Sequence, residues 1–596
     1  MSTATPARSF KASGGREVVQ RPLRFPGDAI TGVPALLARV LASRLASPRE
    51  YTHALSDLPE YGLLPGIRDA ASRIADAVVQ SQPICVFGDY DADGATATAL
   101  SVLALRAMRA RCIHFFVPHR IEMGYGLTPP AVSGLLERYP DTRLIVTVDT
   151  GVASISGVSA ARERGIDVVV TDHHLPGDAL PDAAAIVDPC LCGSRFESRA
   201  VSGVGVAFYV MAAVREELRV RGWFNGDDPP LLAEFLDLVA LGTVADVVPL
   251  DRVNRILVEQ GLRRIRSGLA RPGIAALLEV SGKSPDTVVS ADLGFSIGPR
   301  LNAAGRLASM ATGIECLLSE SIETARPLAR ALDRINRERR EIESRMLRDA
   351  NTMLDEWITT NLQEPDLPAG ICVYSENWHE GVVGLVAGRI KETGHRPVVA
   401  FAPGADGALK GSARSIPGVH IRDILASLDA ENPGLILRFG GHAMAAGLTI
   451  QPESLPAFTQ AFANAIERNA NPGVFSPVIE TDGELSPDEI TLENAEILRY
   501  AGPWGQAFQE PLFHGVFDIQ EARPVGNGGN HVRLRLRPAT HPSGRSPASL
   551  AVHDGIFFDG ADAIGTGGRR RLLYKLDVNY YRGRNRLQLM VVSCLD

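Results

Sequence analysis

The chain has 596 residues, enough for three or four domains with sizeable cores. Acidic residues outnumber basic ones by 69 to 61, and this net charge of −8 excludes a generally basic nucleic-acid coat, so such binding must come from local patches. Seven cysteines, mostly in apolar runs, indicate reduced thiols, and no apolar run approaches the roughly 20 residues that span a bilayer. These features predict a soluble, cytoplasmic protein.

The amino-terminal segment divides into two parts. Residues 1–27 are polar and rich in Ser, Ala, Gly and Arg, without the apolar core of a signal peptide, which predicts a disordered arm. From residue 28 to about residue 82 apolar side chains recur at helical spacing, as at Leu37 and Leu41. We expect helices here that pack on the sheet that follows.

The run ICVFGDYDADGATAT, residues 84–98, is the most informative stretch. A strand-like apolar run leads directly to three aspartates at alternate positions, Asp89, Asp91 and Asp93, and then to a helix-like run. Three like charges this close repel one another strongly unless a cation lies between them. A solvated acidic turn is the alternative, but it does not explain why an apolar strand delivers the charges.

Two further strands end in the same way. The run RLIVTVDTG stops at Asp149, and DVVVTDHH stops at Asp172, His173 and His174. Segments of helical period separate the strands, so the pattern predicts an α/β fold with a parallel sheet. Ligands of such sheets bind outside the carboxyl ends of the strands, where these side chains would converge.

The chemistry of this acidic cluster indicates a metal site. Another apolar run, FLDLVALGTVADVVPL, adds Asp246, with Asp237 as a weaker candidate. Carboxylates with one or two imidazoles favour Mg²⁺ or Mn²⁺ over zinc, and the imidazole tips the preference toward Mn²⁺. Two such ions about 4 Å apart can clamp the attacking water and the leaving oxygen of a phosphodiester. The predicted ligands are Asp91, Asp93, Asp149, His173 and Asp246.

Two aspartates have an open role. Asp89 and Asp172 would either bind a metal directly or orient a ligand, since an Asp beside a ligating His often holds its other ring nitrogen.

Downstream, residues 319–357 place apolar side chains at steps of three, four or seven, with Arg and Glu between them. This pattern predicts one long amphipathic helix that connects two domains, with a coiled-coil partner site as the alternative. Residues 358–474 predict a second, smaller α/β unit with Gly-rich turns that carry Ser412, Arg414 and His442.

The last segment, residues 475–596, has five short alternating strands, which suit a small OB-like β-barrel. From Phe513 onward it has 12 Arg and Lys against 7 Asp and Glu. Basic residues interleaved with aromatic rings predict single-strand binding, and a solvated sheet face with ordinary core aromatics is the alternative. The predicted binding residues are Arg569, Arg570, Tyr574, Lys575, Tyr580, Tyr581, Arg582, Arg584 and Arg586.

These motifs resemble those of a known superfamily. GDYDADG, VDTG at 148–151, TDHH at 171–174 and the GTVAD that ends at Asp246 resemble the successive motifs of the DHH phosphoesterases. The sequence around them resembles the RecJ branch, which comprises single-strand-specific 5′ to 3′ DNA exonucleases. VPHRIEMGYGL, SGVGVAFY, GPRLNAAGR, GSARS, GGHAMAAG and PWGQAFQEPLF continue the resemblance, which runs from about residue 50 to the carboxyl terminus.

The resemblance implies a domain order and an activity. It implies a DHH domain over 28–318, the connector helix over 319–357, a DHHA1 domain over 358–474 that closes the substrate cleft, and an OB domain over 475–596. The implied activity is a processive metal-dependent exodeoxyribonuclease of DNA repair and recombination that releases 5′-mononucleotides, with Asp149 bridging two ions. Single-stranded DNA is the implied substrate, and a helicase and a single-strand-binding protein are candidate partners.

The resemblance also implies contacts with substrate phosphates. Arg120, either Arg300 or Arg306, and Ser412 with Arg414 match phosphate-binding positions, the last pair for the terminal 5′ phosphate. Arginine suits this role because its planar fork gives two charge-assisted hydrogen bonds.

Three aromatic positions complete the expectations. Tyr125, between two glycines, would stack on a base or be an ordinary turn aromatic. His174 would contact the scissile phosphate, donate a proton or fix the loop. Phe87 replaces a His that some family members have, which affects the ligand set of one metal.

Two other functions stay open at this point. One is a DHH-type phosphodiesterase for pyrophosphate, short oligonucleotides or cyclic dinucleotides, against which the basic barrel argues, because small substrates need no single-strand grip. The other is a non-catalytic replication scaffold, against which the intact aspartates and histidines argue.

Overall fold

The computed structural model describes residues 9–11, 17–119, 123–361, 367–378, 380, 383–404, 407–441, 443–476, 478–526, 529–539, 550–560, 564, 567–581 and 584–596. The chain divides into two compact units. Unit 1 consists mainly of Arg21–Arg337 with Asp482–Leu595, and unit 2 mainly of Pro6–Gln20 with Glu338–Thr481. The carboxyl-terminal barrel therefore belongs to the same unit as the amino-terminal α/β part.

The described strands are β1 Ser9–Lys11, β2 Glu17–Gln20, β3 Ile84–Gly88, β4 Ile113–Phe116, β5 Leu144–Val148, β6 Asp167–Thr171, β7 Ala185–Val187, β8 Ile371–Tyr374, β9 Val398–Pro403, β10 Leu409–Arg414, β11 Arg438–Gly441, β12 Ala445–Ile450, β13 Val478–Thr481, β14 Phe513–Val525, β15 His531–Pro538, β16 His553–Phe557, β17 Gly568–Tyr581 and β18 Arg584–Cys594.

The described α-helices of eight residues or more are α1 Ala35–Ala42, α2 Ile67–Val79, α3 Ala92–Ala107, α4 Pro129–Arg138, α5 Ile155–Arg162, α6 Gly203–Val220, α7 Leu236–Ala245, α8 Arg252–Arg264, α9 Pro272–Ser281, α10 Gly298–Leu307, α11 Ala311–Leu318, α12 Ile322–Asn361, α13 Val383–Gly394, α14 Ile421–Glu431, α15 Leu455–Asn469 and α16 Leu492–Tyr500.

Unit 1 is organised around a parallel sheet with the strand order β4-β3-β5-β6-β7. Alternate residues of β3 enter two different cores, Ile84 and Val86 on one face and Cys85 and Phe87 on the other. This two-sided burial explains why the sequence of the strand is apolar throughout. The strand order reverses between β3 and β5, and ligands of open α/β sheets bind at such a reversal, outside the carboxyl ends of the strands. The predicted parallel α/β sheet is confirmed.

The carboxyl-terminal segment forms a closed barrel with the strand order β14-β15-β16-β18-β17, as predicted. Phe513, Phe517 and Tyr574 pack together in its core, with the rings of Phe517 and Tyr574 5.2 Å apart in an edge-to-face contact. The predicted long amphipathic helix is also present as α12, with Pro327 in its second turn.

Unit 2 contains a mixed sheet with the strand order β11-β12-β10-β9-β8. Ser412 and Arg414 lie on the central strand β10, so the prediction of a Gly-rich turn around them is wrong. The reason is the alternation of Leu409, Gly411 and Ala413, which are buried on one face of a strand, with polar residues on the other.

The segment predicted as a disordered arm over 1–27 contains two strands among its described residues, while residues 1–8 and 12–16 lie outside the described part of the chain. Strands β1 and β2 pair antiparallel, and β2 pairs parallel with β13. Val18 is fully buried there, so a short apolar run within a polar segment is sufficient to place it in a sheet.

No helix in the described part of the chain is long and apolar enough to cross a membrane.

A buried ion pair fastens the barrel segment to the amino-terminal helices of unit 1. The guanidinium of Arg44 donates to both carboxylate oxygens of Asp482, at 2.5 and 2.8 Å, and the two side chains are 3% and 2% exposed. Asp482 also accepts a hydrogen bond from Leu512 N, and Arg44 lies 5.6 Å from the ring centre of Trp504. Removing one partner would therefore leave a buried charge without compensation.

Substitution of Asp482 tests this fastening. We expect Asp482→Ala to lower the free energy of unfolding by about 3–5 kcal/mol, because Arg44 stays buried and unpaired. Asp167→Ala is the control, since Asp167 pairs with Arg73 at the surface and is 54% exposed, and its loss should cost about 1 kcal/mol or less. Urea unfolding followed by tryptophan fluorescence measures both, and equal costs would contradict the structural role of the buried pair.

Candidate metal centre and nucleic-acid surfaces

Strand β3 and helix α3 build the first part of the site. Asp89 follows the strand, Asp91 caps the helix by accepting a hydrogen bond from Gly94 N at 2.9 Å, and Asp93 lies in the first helical turn. A Cβ on Gly94 would lie 2.6 Å from the carbonyl oxygen of Asp89, so only glycine allows this tight turn. The turn brings the three carboxylates to the carboxyl end of the strand.

Asp93 is held at the amino terminus of α6. Its two oxygens accept hydrogen bonds from Gly203 N at 2.7 Å and Val204 N at 3.0 Å, and the residue is 1% exposed. The helix terminus favours a negative charge. Burial, followed by the charges of Asp246 and Asp91, nevertheless raises the pKa of Asp93 well above its ordinary value. A nearby cation would reverse this balance.

Asp149 occupies an unusual backbone conformation directly after β5. Its φ of +60° lies in the left-handed region that few residues other than glycine adopt, and such outliers concentrate at functional sites. Its Oδ1 accepts no hydrogen bond from the described residues. A Cβ on Gly203 would lie 2.5 Å from this Oδ1, so a glycine is needed beside it. Burial and the charge of Asp93 raise the pKa of Asp149.

His173 and Asp246 complete the cluster. Nε2 of His173 lies 3.1 Å from Oδ1 of Asp149 and 3.6 Å from Oδ2 of Asp246. Asp246 follows the helix α7, so its apolar run is helical. Three triads have ligand atoms within 4.8 Å of one another: Asp93, His173 and Asp246; Asp149, His173 and His174; and Asp89, Asp91 and Asp149. Asp149 and His173 each belong to two triads, so the position of either fits a residue shared by two ions.

Asp172 forms hydrogen bonds with both His173 and His174. Its Oδ1 accepts hydrogen bonds from His173 N and from Nδ1 of His174, both at 2.7 Å, while its Oδ2 accepts one from Val152 N at 2.8 Å. Burial disfavours the carboxylate, but the hydrogen bond and charge of His174 outweigh it and lower the pKa of Asp172. Burial likewise disfavours protonated His174, yet Asp172 raises the pKa of His174 to about 9. The imidazole is therefore oriented by Asp172, which favours its protonated form.

The donor set fits a hard divalent cation. It consists of carboxylate oxygens and imidazole nitrogens, which suit Mn²⁺ and Mg²⁺. The unbonded, buried Oδ1 of Asp149 beside Nε2 of His173 is the arrangement of two ligand atoms around an ion. Phe87 offers no donor, because its side chain is a hydrocarbon; it is buried and stacks on Phe116 at 6.0 Å between ring centres.

Helix α10 supports the aspartate loop, which the sequence reasoning missed. Oδ1 of Asn302 accepts a hydrogen bond from Ala92 N at 2.7 Å, and a Cβ on Gly305 would lie 1.9 Å from the carbonyl oxygen of Tyr90. The small residues of NAAG were the available signal, since they allow this close approach. Asp188, at the end of β7, was also missed; it is fully buried, and burial raises its pKa to about 7.

The predicted substrate residues of unit 1 have different surroundings. Tyr125 reaches the site, with its hydroxyl 3.5 Å from Nε2 of His174 and half of its surface exposed. Arg300 forms an ion pair with Asp333 at 2.9 Å, so a phosphate would have to compete with this carboxylate. Asp237, the weaker candidate for a metal ligand, is fully buried. Its carboxylate pairs with Arg271 instead.

Arg120, His442 and Arg582 lie outside the described residues, as do the side chains of Arg306 and Tyr581.

In unit 2, Arg414 and Ser412 form one polar group. Nη1 of Arg414 donates to Oγ of Ser412 at 3.0 Å and to the carbonyl oxygen of Ala413 at 2.8 Å. A Cβ on Gly384 would lie 2.8 Å from Nη2 of Arg414, so the start of α13 closely approaches the guanidinium. The fork is thus held in a defined orientation.

The barrel residues divide into core and surface. Tyr574 is 1% exposed and packs in the core, so the prediction that it binds nucleic acid is wrong; its position alternates inward with Leu572 and Leu576. Lys575 pairs with Glu510, and Arg569 pairs with Asp518.

Other barrel residues remain at the surface. Arg584 and Arg586 are exposed, and neither has a carboxylate partner among the described residues. Arg570 is half-buried, and its Nη1 donates to Arg569 O. The hydroxyl of Tyr580 lies 3.0 Å from that of Tyr500.

The fold and this cluster define a phosphoesterase of the DHH class, and residues 83–243 match the DHH family, N-terminal domain. Residues 368–468 match the DHHA1 domain, and residues 481–593 match the RecJ OB domain. The single-stranded-DNA-specific exonuclease RecJ of Dickeya dadantii is 49% identical over 565 residues, which cover 94% of this chain and 96% of the relative. The chain therefore belongs to the RecJ family of single-stranded-DNA-specific exonucleases.

Solved structures agree with this assignment. RecJ of Thermus thermophilus in complex with Mn²⁺ is similar with a TM-score of 0.73 and 30% identity, over 96% of this chain and 78% of that one. RecJ of the same organism in complex with Mg²⁺ has a TM-score of 0.68 and 28% identity, over 96% and 76%. The predicted set of DHH, DHHA1 and OB domains is confirmed, whereas the boundaries 28–318, 358–474 and 475–596 stay predictions.

Gly203 provides a test of the geometry. We expect Gly203→Ala to lower the rate of metal-dependent DNA cleavage at least about a hundredfold, because the new methyl group would displace the carboxylate of Asp149. The control is Gly62→Ala, since a Cβ there meets nothing closer than Arg68 Nη2 at 3.7 Å. Cleavage rates with circular dichroism of both variants are the measurement, and an active Gly203→Ala would contradict the proposed position of Asp149.

Proposed function

We propose that this chain removes 5′-mononucleotides from the 5′ end of single-stranded DNA with two divalent metal ions. The observation that carries the proposal is the convergence of Asp149 Oδ1 and Asp246 Oδ2 on Nε2 of His173, within 3.1 and 3.6 Å, at the carboxyl edge of a parallel sheet. Membership of the RecJ family supports the substrate class.

The metal ions proposed are Mn²⁺ or Mg²⁺, the ions with which Thermus RecJ was solved. The proposed ligands are Asp91, Asp93, Asp149, His173 and Asp246, with Asp149 shared, and with Asp89 as a further candidate because it belongs to a triad with Asp91 and Asp149. When bound, two such ions would supply an activated water and stabilise the leaving oxygen of the phosphodiester.

The protein's own groups then position the substrate. Asp172 orients His174 through Nδ1, and Nε2 of this imidazole, 3.5 Å from the hydroxyl of Tyr125, is proposed to donate a hydrogen bond to a phosphate oxygen or a proton to the leaving oxygen. Tyr125 lies beside His174, and its half-exposed ring is proposed to stack on a base of the DNA strand. Asp172 is proposed to orient the ring of His174 while it accepts a hydrogen bond from the backbone of His173, and its two oxygens are already occupied by hydrogen bonds.

The finer biological setting is also proposed. We infer a cytoplasmic enzyme of DNA repair and recombination, with a helicase and a single-strand-binding protein as partners. The exposed Arg584 and Arg586 of the barrel support a grip on the phosphates of a longer strand.

The direct test uses DNA labelled at one end, as single and double strands, with Mn²⁺ or Mg²⁺. The proposal predicts immediate release of the 5′ label as a mononucleotide, gradual shortening of 3′-labelled strands, and resistance of duplexes. Asp149→Asn is the inactive control, because it removes a shared ligand while asparagine tolerates the left-handed backbone. Release from the 3′ end, or cleavage only of very short oligonucleotides, would overturn the proposed polarity or substrate.

A second test concerns how one end is recognised. Metal ions treat all phosphodiesters alike, so polarity requires a group that distinguishes a terminal phosphate, with nearly two charges, from an internal one with a single charge. We propose Arg414 with Ser412 for this role, because the guanidinium is held in place by two hydrogen bonds.

We expect Arg414→Ala to reduce the preference for 5′-phosphorylated over 5′-hydroxyl strands at least about tenfold, since a charge-assisted hydrogen bond contributes about 1.5–3 kcal/mol. Rates on both substrates at low concentration measure the preference. Arg468→Ala, which removes an exposed arginine paired with Glu431, should leave it unchanged. Equal slowing of both substrates by Arg414→Ala would assign end recognition to other residues.

A further inference from the structure

An exposed apolar surface begins directly beside the metal centre. Val247 is next to Asp246 in the chain, is 64% exposed, and has a φ of +61°. A β-branched residue in this left-handed region is an outlier, and such strain concentrates at functional sites. This backbone conformation follows the end of helix α7 and leaves the valine side chain exposed to solvent.

Phe295 extends this surface. It lies in a short π-helical segment, Leu293–Ile297, and is 86% exposed. A Cβ on Gly294 would lie 3.1 Å from Val244 Cγ1, so the segment packs against the last turn of α7, directly before Asp246. Isolated π-helical turns are frequent at functional sites.

The two residues border a groove within unit 1. A cavity of about 390 Å³ is lined by Val244, Val247 and Phe295 on the α/β side and by Trp504, Gln506 and Lys575 on the barrel side. The groove therefore lies between the end of helix α7 and the barrel side, with a predominantly apolar lining.

The charge of the groove indicates what it can bind. Lys575 also lines the groove, but Glu510, another lining residue, lies 2.5 Å from its Nζ, so the two charges compensate. An anionic phosphate gains little from a neutralised lysine. A flat, uncharged, partly apolar group suits this lining, and a nucleobase of the strand that enters the metal centre has those properties.

We propose that Phe295, flanked by Val247, is a stacking platform for an unpaired nucleobase of the bound single strand. This inference rests on the proposed function. It gives a physical reason for single-strand preference, because a base within a duplex is already stacked and paired and would have to be released before it could stack on Phe295.

The experiment compares Phe295→Ala, Phe295→Trp and Leu231→Ala in the full chain. Leu231 is the control, as an apolar side chain that is 69% exposed and lies outside the lining of the groove. The substrates are a 5′-phosphorylated single strand and the same strand with a run of abasic sites near its 5′ end. Circular dichroism and melting temperature establish that each variant is folded.

We expect Phe295→Ala to raise the KM for the normal strand about fivefold or more, which corresponds to the loss of one base–aromatic stack. Phe295→Trp should restore it, and Leu231→Ala should resemble the wild type. The abasic strand should show little difference between wild type and Phe295→Ala, because no base is present to stack.

Three results would overturn the inference: an unchanged KM in Phe295→Ala, an equal loss on normal and abasic strands, or no rescue by tryptophan. An unchanged KM would be the result if the groove instead receives a protein partner. Failure of the proposed function itself is distinguishable, since it is seen in the wild type alone, which would then leave both strands intact or release nucleotides from their 3′ ends.

Discussion

The close approach of the amino terminus of α6 to two carboxylates is the constraint on which the site depends. The amide groups of Gly203 and Val204 bind the oxygens of Asp93, while the α-carbon of Gly203 lies where any side chain would meet Asp149. One glycine thus allows Asp93, which comes after strand β3, and Asp149, which comes after strand β5, to share a small buried space. The rest of the sheet serves to bring their carboxyl ends to this position.

Holding several carboxylates together has an energetic cost. Burial, with the neighbouring charge of Asp91, raises the pKa of Asp89 to about 8 and that of Asp246 to about 7. A raised pKa means that the folded state binds more protons than the unfolded state, so these groups lower the stability of the metal-free protein as pH rises from the ordinary carboxyl range to these values. A divalent cation offsets this repulsion, which makes the same carboxylates favourable in the loaded protein.

Much of the site could be predicted because its chemistry follows the strands. Asp89, Asp149 and Asp172 each come directly after an apolar strand, and the carboxyl ends of parallel strands meet at one edge. The supporting contacts could not be predicted, because they join distant segments. Asn302 binds the backbone of Ala92 across 210 residues, and the small residues of NAAG indicate a close approach without indicating which segment makes it.

The errors have local physical causes. Tyr574 is surrounded in sequence by basic residues, yet strand alternation turns it into the barrel core. Ser412 and Arg414 have glycine and alanine neighbours. Such small residues are equally compatible with a turn and with a strand packed closely against a helix. In both cases, composition was informative about the surroundings but not about which face the side chain occupies.

The central claim is that the cluster around Asp149 is strained without a cation and stabilised by one. The melting temperature of wild type and Asp149→Asn, each in chelator and in Mn²⁺, tests it most directly. The account predicts that Mn²⁺ stabilises the wild type by mass action, whereas Asp149→Asn melts at the same or a higher temperature than wild type in chelator and gains little from Mn²⁺. A variant that melts well below wild type in chelator, or that gains as much from Mn²⁺, would contradict the account.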